Sequence, residues 1–311
     1  MEQPIVDAKY EKMVKKASKK HLKTMDIVFI VVMLAGPFAY FCVFWVFVNV
    51  DSILMAFKTA QGAWSLDNLK MVLLDIFVNG GSDLGIAIRN TLLYFFSGVI
   101  VLPFHLLIAY FLFRRVAGGK VIQVILYLPS IMSGVAIVAA FQNFINPDGP
   151  LGIIYSRLFG GELPVLLADA RYATWTILFY TLWLGWGGDM LLLGGALARV
   201  PLEIFESARL DGIGTFGEII KMVLPLVWPT MSTLLILQMT GLFSSSGPIL
   251  LFTGGQYQTT TIAFWIFAKV KYEGASAYNN VAAAGLVFTC IGVPIILGVK
   301  KLIELVPTVE Y

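Results

Sequence analysis

The sequence predicts an all-α integral membrane protein with six transmembrane helices. Of its 311 residues, 58% are hydrophobic and only 13% are charged, whereas soluble domains have about 25% charged residues. The apolar residues form long continuous runs without the alternation of a barrel strand, and a helix can satisfy every backbone hydrogen bond within such a run. Lysine and arginine are unevenly distributed among the segments that join the runs, which predicts the orientation.

Six apolar runs are each long enough to cross a bilayer core about 30 Å thick. They extend over residues 27–50, 91–113, 121–145, 173–198, 223–243 and 281–299. All six belong to one predicted transmembrane domain, residues 27–303, which is followed by a cytoplasmic tail, residues 304–311. Pro37 in the first run, and Pro129 with Ser133 and Gly134 in the third, predict local breaks in the helices.

Residues 1–26 form a predicted cytoplasmic basic segment before the first run. They contain seven lysines, at Lys9, Lys12, Lys15, Lys16, Lys19, Lys20 and Lys23. A helix lying on anionic lipid would explain them, but a solvated segment that follows the positive-inside rule is favoured. No small-residue cleavage site follows the first run, so we expect it to be a membrane span and not a secretory signal.

The distribution of positive charge predicts which side of the membrane each connection occupies. With six spans, fifteen of the 22 lysines and arginines fall on the side of the N-terminus and seven on the other side. Both termini are therefore expected in the cytoplasm, with the chain crossing a bacterial cell membrane several times. The external connections are then residues 51–90, 146–172 and 244–280. We expect a short helix over residues 66–77 and two apolar stretches, residues 249–252 and 262–268, that are too short to span.

The sequence contains no recognisable catalytic, metal or nucleotide site. Its two histidines, His21 and His105, lie in the basic segment and in a span, so neither a metal cluster nor a Ser-His-Asp arrangement can be assembled. No G-x-x-x-x-G-K-[ST] motif occurs. Residues 212–217 match G-x-G-x-x-G, but membrane runs flank them where a dinucleotide fold requires a βαβ unit. We therefore expect a non-catalytic chain without cofactor or metal.

Residues 205–225 form the longest stretch of mixed charge in the second half of the chain. Five charged residues are expected to stand in water between two spans: Glu206, Arg209, Asp211, Glu218 and Lys221.

A short helix with one apolar face is predicted at the start of this stretch. Pro201 suits the first helical turn, and Leu202, Phe205 and Ala208 recur at i, i+3 spacing. Gly212 then permits a tight turn before the next helix. Such a helix is suited to dock into another protein, and an ordinary loop helix lying on the membrane is the alternative.

The same stretch resembles the E-A-A-x3-G-x9-I-x-L-P signature of ABC importer permeases. The matching residues are Glu206-Ser207-Ala208, Gly212 and Met222-Val223-Leu224-Pro225, with Ser207 and Met222 departing from the pattern. Further segments resemble sugar-importer permeases of the maltose type: Leu128-Pro129-Ser130, Asn146-Pro147-Asp148-Gly149, Thr253-Gly254-Gly255 and Thr259-Thr260-Thr261. Gln256-Tyr257-Gln258 stands where that family often has Gly-Pro.

The resemblance implies an ABC type I importer permease fold with a cytoplasmic coupling helix in residues 201–217. It assigns seven residues to the contact with an ATPase subunit: Glu206, Ser207, Ala208, Asp211, Gly212, Leu224 and Pro225. Glu206 would contact the ATPase, Ala208 and Gly212 would permit close approach, Asp211 would cap or pair nearby, and Pro225 would begin the fifth span. The implied partners are a second permease subunit, two ATP-binding subunits that hydrolyse ATP, and an extracellular solute-binding protein.

Polar and aromatic residues inside the runs are candidates for the solute path. They are Gln142, Asn143, Trp183, Trp186, Asp189, Gln238 and Thr240. Amide and hydroxyl groups together with flat aromatic rings suit a neutral sugar. The alternative for each residue is a helix–helix hydrogen bond, which polar side chains in spans also form. A rival reading is a secondary transporter that uses Asp189 as a proton or cation site, although such folds usually contain internal repeats. A purely structural membrane subunit would leave the signature unexplained.

Overall fold

The computed structural model describes residues 24–244 and 246–306, except for the side chains of Thr24 and Arg209. The seven lysines of the basic segment lie outside the described residues. Within the described part, the secondary structure is helical apart from one antiparallel bridge between Lys58 and Trp64. Five helices are long and apolar enough to cross a membrane, and a bent pair makes six if it is counted as one span. The described part of the chain is therefore all-helical, as predicted.

Helix α1 extends over Met25–Ala56, beyond both ends of the predicted first span. It runs through Pro37 and contains a π-helical segment, Phe41–Phe47. Asn49 and Ser52 donate side-chain hydrogen bonds to the backbone carbonyls of Trp45 and Val48, at 2.7 and 2.8 Å. Because these polar groups are satisfied by the helix itself, the helix continues past the end of the apolar run.

Helices α2 (Asp67–Phe77) and α3 (Asp83–Phe113) follow. The predicted short helix is confirmed by α2, but α3 begins eight residues before the predicted second span at residue 91. The hydroxyl of Ser82 accepts a hydrogen bond from the backbone N–H of Gly85 at 3.1 Å and caps the helix. The turn chemistry therefore ends at Ser82, and Arg89 and Asn90 lie within the helix.

The predicted third span is broken into helices α4 (Gly119–Ile131) and α5 (Gly134–Ile145), followed by α6 (Pro150–Phe159). The chain bends by 111° between Gly119–Ile131 and Gly134–Phe159. The two residues at the break have extended backbone, with ψ of 156° at Met132 and 129° at Ser133. The break is thus where the sequence predicted it, and it separates two helices that point in different directions.

Helices α7 (Ala173–Leu197), α8 (Leu202–Leu210) and α9 (Thr215–Thr240) come next. Helix α10 (Ile249–Phe252) is a single turn, and α11 (Ile262–Glu273) is joined to α12 (Tyr278–Glu304) by a 3₁₀ turn. Of the two short apolar stretches in the last predicted connection, the second is therefore continuous with the final helix, and the candidate span covers Ile262–Glu304.

Three apolar clusters hold the helices from α2 onward together. Helices α3, α7, α8 and α9 meet around Leu106, Leu197 and Val223. Helices α2, α3, α11 and α12 meet in a second cluster, and α5, α7 and α10 in a third. Helices α3 and α7 each contribute to two clusters, so they form the centre of this part of the fold.

Gly152 provides a test of the packing of α6. A Cβ atom added there would overlap the backbone carbonyl of Pro147, whereas one added to Gly161, in the same connection, would meet nothing within 4 Å. We expect Gly152→Ala to lower the free energy of unfolding by about 2 kcal/mol, the usual size of an overpacking penalty. Melting temperatures in detergent measure the effect, with Gly161→Ala as the control. Equal melting temperatures for the two variants would contradict this packing.

Candidate functional site

The segment that carries the ABC-type signature folds as helix α8, with a buried and an exposed face. Phe205 and Ala208 are each only 3% exposed, while Glu206 and Ser207 are exposed. The Phe205 ring lies 5.4 Å from that of Phe113 at the end of α3. The predicted apolar face is confirmed for these two residues, but it is wrong for Leu202, which is 65% exposed.

Helix α8 ends in a Schellman motif centred on Gly212. The backbone N–H of Ile213 donates to the carbonyl of Ala208 at 3.1 Å, and Gly212 has a left-handed φ of +73°. Only glycine adopts this conformation without steric cost. Within the described part of the chain, a Cβ on Gly212 would meet nothing within 4 Å. The glycine is therefore required by its own backbone and not by close approach within this chain, and the Asp211 side chain beside it is exposed.

The last part of the signature lies inside helix α9 and not at its start. Helix α9 begins at Thr215, ten residues before Pro225, and Pro225 lies in the first turn of its α-helical part Leu224–Thr240. A π-helical turn, Ile219–Val223, precedes Leu224 and Pro225, and the Leu224 N–H donates to the carbonyl of Ile219. Proline has no N–H to donate to the helical hydrogen-bond ladder. The π-helical turn, which is wider than an α-helical one, lies directly before this residue and Leu224. Leu224 packs against the cluster between α3 and α9.

Glu218 is buried, which corrects the prediction that it stands in water. It is 2% exposed, and its Oε1 atom lies 3.4 Å from Nη1 of Arg114 at the end of α3. The Arg114 guanidinium also lies over the ring of Tyr110, 5.7 Å from its centroid. A buried carboxylate requires such a partner, and no local sequence pattern links residues that are this far apart in the chain.

A cavity of about 290 Å³ lies between α3, α7 and the end of α9. Its polar lining residues are Thr91, Tyr94, His105, Thr181, Asp189, Gln238 and Thr261, and the remaining lining residues are apolar or glycine. Among the described residues, this lining contains no lysine or arginine, and Asp189 supplies its one carboxylate. Polar groups inside a membrane domain that face a cavity mark a candidate solute site.

Two of the seven predicted path residues, Asp189 and Gln238, line this cavity. Trp186 lies beside it, with its ring 5.3 Å from that of His105. Trp183 belongs instead to an aromatic cluster, 6.2 Å from Phe141.

The three remaining path residues do not line this cavity, and each donates a hydrogen bond to a backbone carbonyl. Gln142 donates to Leu251 at 3.1 Å, Asn143 to Ala139 at 3.0 Å, and the Thr240 hydroxyl to Leu237 at 2.9 Å. The alternative of helix–helix hydrogen bonding describes Gln142, whereas Asn143 and Thr240 bond within their own helices.

His105 is the principal cavity residue that sequence analysis missed. Its Nδ1 atom lies 2.9 Å from Oδ2 of Asp189, and their side chains are 5% and 26% exposed. The two residues are 84 positions apart. The signal was available, because a histidine inside a span is a functional candidate on the same grounds as an aspartate.

Three buried polar atoms in the cavity wall have no hydrogen-bond partner within the described part of the chain. They are the Tyr94 hydroxyl, His105 Nε2 and Gln238 Oε1. Buried polar groups in folded proteins are normally paired. Their side chains line the cavity, but the three atoms themselves are inaccessible to a water molecule.

Comparisons with known proteins give a consistent result, although no protein-family model matches the chain. A probable ABC transporter permease protein of Mycoplasma pneumoniae, the MG188 homolog, is 29% identical over 261 residues, which are 79% of this chain and 71% of that protein. The maltose/maltodextrin transport system permease protein MalF of Escherichia coli K12 is 28% identical over 196 residues. That alignment covers 59% of this chain and only 38% of MalF.

Solved structures share the fold. A chain from a bacterial ABC transporter involved in import of the acidic polysaccharide alginate superposes with a TM-score of 0.74 and 24% identity, over 89% of this chain and 95% of that one. The alginate transporter in complex with a pentasaccharide-bound periplasmic protein gives 0.72 and 24%, over 87% and 92%. The chain is therefore similar in sequence to ABC transporter permease proteins, as its signature predicted, and it shares its fold with chains of a solved alginate ABC transporter.

Proposed function

We propose that this chain is a permease subunit of an ATP-driven ABC importer that carries a sugar, in particular a neutral oligosaccharide, into the cytoplasm. The observation that carries the proposal is the fold of the signature segment. A short helix presents Glu206 and Ser207 outward, is anchored by Phe205, and ends at the left-handed Gly212. This is the form expected of a coupling helix that docks into a partner ATPase.

In this proposal the chain crosses the membrane six times, with the bent α4–α5–α6 segment counted as one span. Both termini and α8 lie in the cytoplasm of a bacterial cell, as the distribution of lysine and arginine supports. The chain itself catalyses nothing. Two ATP-binding subunits hydrolyse ATP, a second permease subunit completes the transmembrane pair, and an extracellular binding protein delivers the solute.

The cavity between α3 and α7 is the proposed solute site of this subunit. Its hydroxyl, amide, imidazole and carboxylate groups suit hydrogen bonding to sugar hydroxyls, and its wall carries no lysine or arginine. The Asp189 carboxylate would repel a polyanionic glycan, and the described lining has no lysine or arginine to attract one. We therefore infer a neutral solute, in contrast to the acidic polysaccharide of the structural relative.

The decisive experiment is uptake by the whole transporter in proteoliposomes. The complex is isolated with its co-purifying subunits, and radiolabelled neutral oligosaccharides are offered together with the binding protein. ATP inside the vesicles should drive accumulation, and a protonophore should have no effect. Accumulation without ATP that collapses on addition of the protonophore would instead support the secondary transporter that uses Asp189.

Replacing Asp189 with asparagine tests the cavity. The change keeps the size of the side chain but removes the charge that faces His105, so uptake should fall about tenfold, the value of one hydrogen bond to a charged group. Basal ATP hydrolysis should persist. Thr233→Val is the control on α9, because the Thr233 hydroxyl bonds only to the carbonyl of Pro229 in its own helix, at 2.8 Å. Uptake by Asp189→Asn at the rate of this control would contradict the assignment.

A further inference from the structure

The buried ion pair of Arg114 and Glu218 connects two helix ends beside the proposed coupling turn. Arg114 follows the last residue of α3, and Glu218 lies in the first turn of α9, four residues after Gly214. The charged atoms are 3.4 Å apart, and the Arg114 side chain is 24% exposed against 2% for Glu218. The pair therefore joins the chain just beyond the turn to the end of α3.

Helix α8 contacts the same end of α3 from the other side of the turn. Phe205 packs on Phe113, the residue that precedes Arg114, with ring centroids 5.4 Å apart. Val200, Ile219 and Val223 belong to the same apolar cluster as Phe205. The end of α3 is thus held by an apolar contact before the turn and by an ionic contact after it.

The other part of α3 forms one wall of the cavity. His105 precedes Arg114 by nine positions on the same helix, a distance of about 13 Å along the helix axis. Thr91 and Tyr94 lie nearer the start of the same helix, and both line the cavity. A displacement of the end of α3 would therefore move cavity residues, because a helix transmits motion along its axis.

Stability alone does not account for a buried ion pair at this position. The cost of removing two charges from water roughly cancels their attraction, and apolar residues of similar size often give equal or greater stability. The cluster beside the pair is made of hydrophobic residues, and its Tyr110 places a hydroxyl group next to Glu218. A role other than stability would explain why a charged pair is present here, and its location between the turn and α3 indicates that role.

We propose that the Arg114–Glu218 pair is the positioning contact through which movement of the coupling segment is passed to α3 and thereby to the cavity. The inference rests on the proposed function. It assigns a role to Arg114, outside the signature, and to Glu218, at one of the nine unspecified positions of the signature. Neither residue lines the cavity.

The test measures the opening of the cavity in the complete transporter without needing the solute. The two cysteines of the chain, Cys42 and Cys290, are first replaced by alanine. Thr181→Cys in the cavity wall is then modified by an impermeant maleimide added outside. ATP with vanadate should raise the modification rate about tenfold in the parent, within the usual range of coupling between sites. Glu218→Gln should lose this rise while ATP hydrolysis continues.

A second variant guards against a folding defect. Arg114→Met with Glu218→Met keeps apolar packing and leaves no unpaired charge, and it too should lose the rise. Glu304→Gln is the control, because it removes an exposed pair with Lys300, 3.7 Å apart, which contributes little.

The proposal is overturned if either variant keeps the tenfold rise. It is also overturned if the double methionine variant shows the ATP-dependent rise in modification rate that Glu218→Gln lacks, because the defect of Glu218→Gln would then come from the unpaired Arg114 charge. A fall in melting temperature with proportional loss of hydrolysis and opening would indicate a packing role only. A parent without ATP-dependent opening would contradict the proposed function itself.

Discussion

Replacement of Gly212 with valine is expected to reduce uptake to background while the chain still folds. Gly212 has a φ of +73°, and a β-branched residue in this conformation is strained by about 1–2 kcal/mol. Relief of the strain would move the end of α8 and the exposed Glu206 face that we propose docks into the ATPase. Gly212→Asn should be milder, because asparagine tolerates the left-handed conformation.

Co-purification of the ATPase subunit and uptake in proteoliposomes measure this effect. Gly214→Ala is the matched control, because Gly214 has an ordinary φ of −71° and a Cβ there meets nothing within 4 Å. Glu206→Lys should give the same loss without altering the backbone. Wild-type uptake in both Gly212→Val and Glu206→Lys would contradict the assignment of α8 as the coupling helix.

The second large effect is expected from Asn90→Leu. Asn90 is 1% exposed, and its Nδ2 atom donates to the backbone carbonyls of Gln258 and Thr260, at 2.6 and 2.9 Å. Tyr257 and Gln258 have left-handed φ values of 55° and 57°, so this loop depends on outside contacts to hold its shape. Loss of both hydrogen bonds should lower the free energy of unfolding by about 2–3 kcal/mol.

Hydrogen exchange over residues 253–261 should show the loop loosening, and the melting temperature should fall. Thr174→Val should have a smaller effect, because Thr174 supplies a single bond to the Gln258 carbonyl, at 3.1 Å. Thr176→Val serves as the control, since that hydroxyl bonds only to Tyr172 in its own helix, at 2.9 Å. Unchanged exchange in Asn90→Leu would show that the loop is held by other contacts.

The sequence predicted those features of the fold that depend on residues close together in the chain. Long apolar runs located the helices, the end of α8 was signalled by Gly212, and the bend between α4 and α5 by Pro129 and Gly134. The predicted end of a helix was wrong where a polar side chain forms its hydrogen bonds within its own helix or with a distant segment, because the helix then continues through that residue. Asn90 illustrates this, because its partners are 168 and 170 residues away.

The candidate sites follow the same division. Glu206, Ala208 and Gly212 could be identified from the sequence, because their spacing along one short helix forms the signature. The partnership of His105 with Asp189, and that of Arg114 with Glu218, arise only when α3 meets α7 and α9. Each residue is unremarkable in its own run, so their pairing required the tertiary structure.

The π-helical turn Ile219–Val223 holds one residue more than an ordinary helical turn. If it tightened to α-helical geometry, every later residue of α9 would shift by about 1.5 Å along the axis and rotate by about 100°. Gln238, nineteen positions after Ile219, would then turn away from the cavity and a neighbouring side chain would replace it. Helix α9 therefore contains a built-in register step by which it could exchange the residues that it presents to a solute without unfolding.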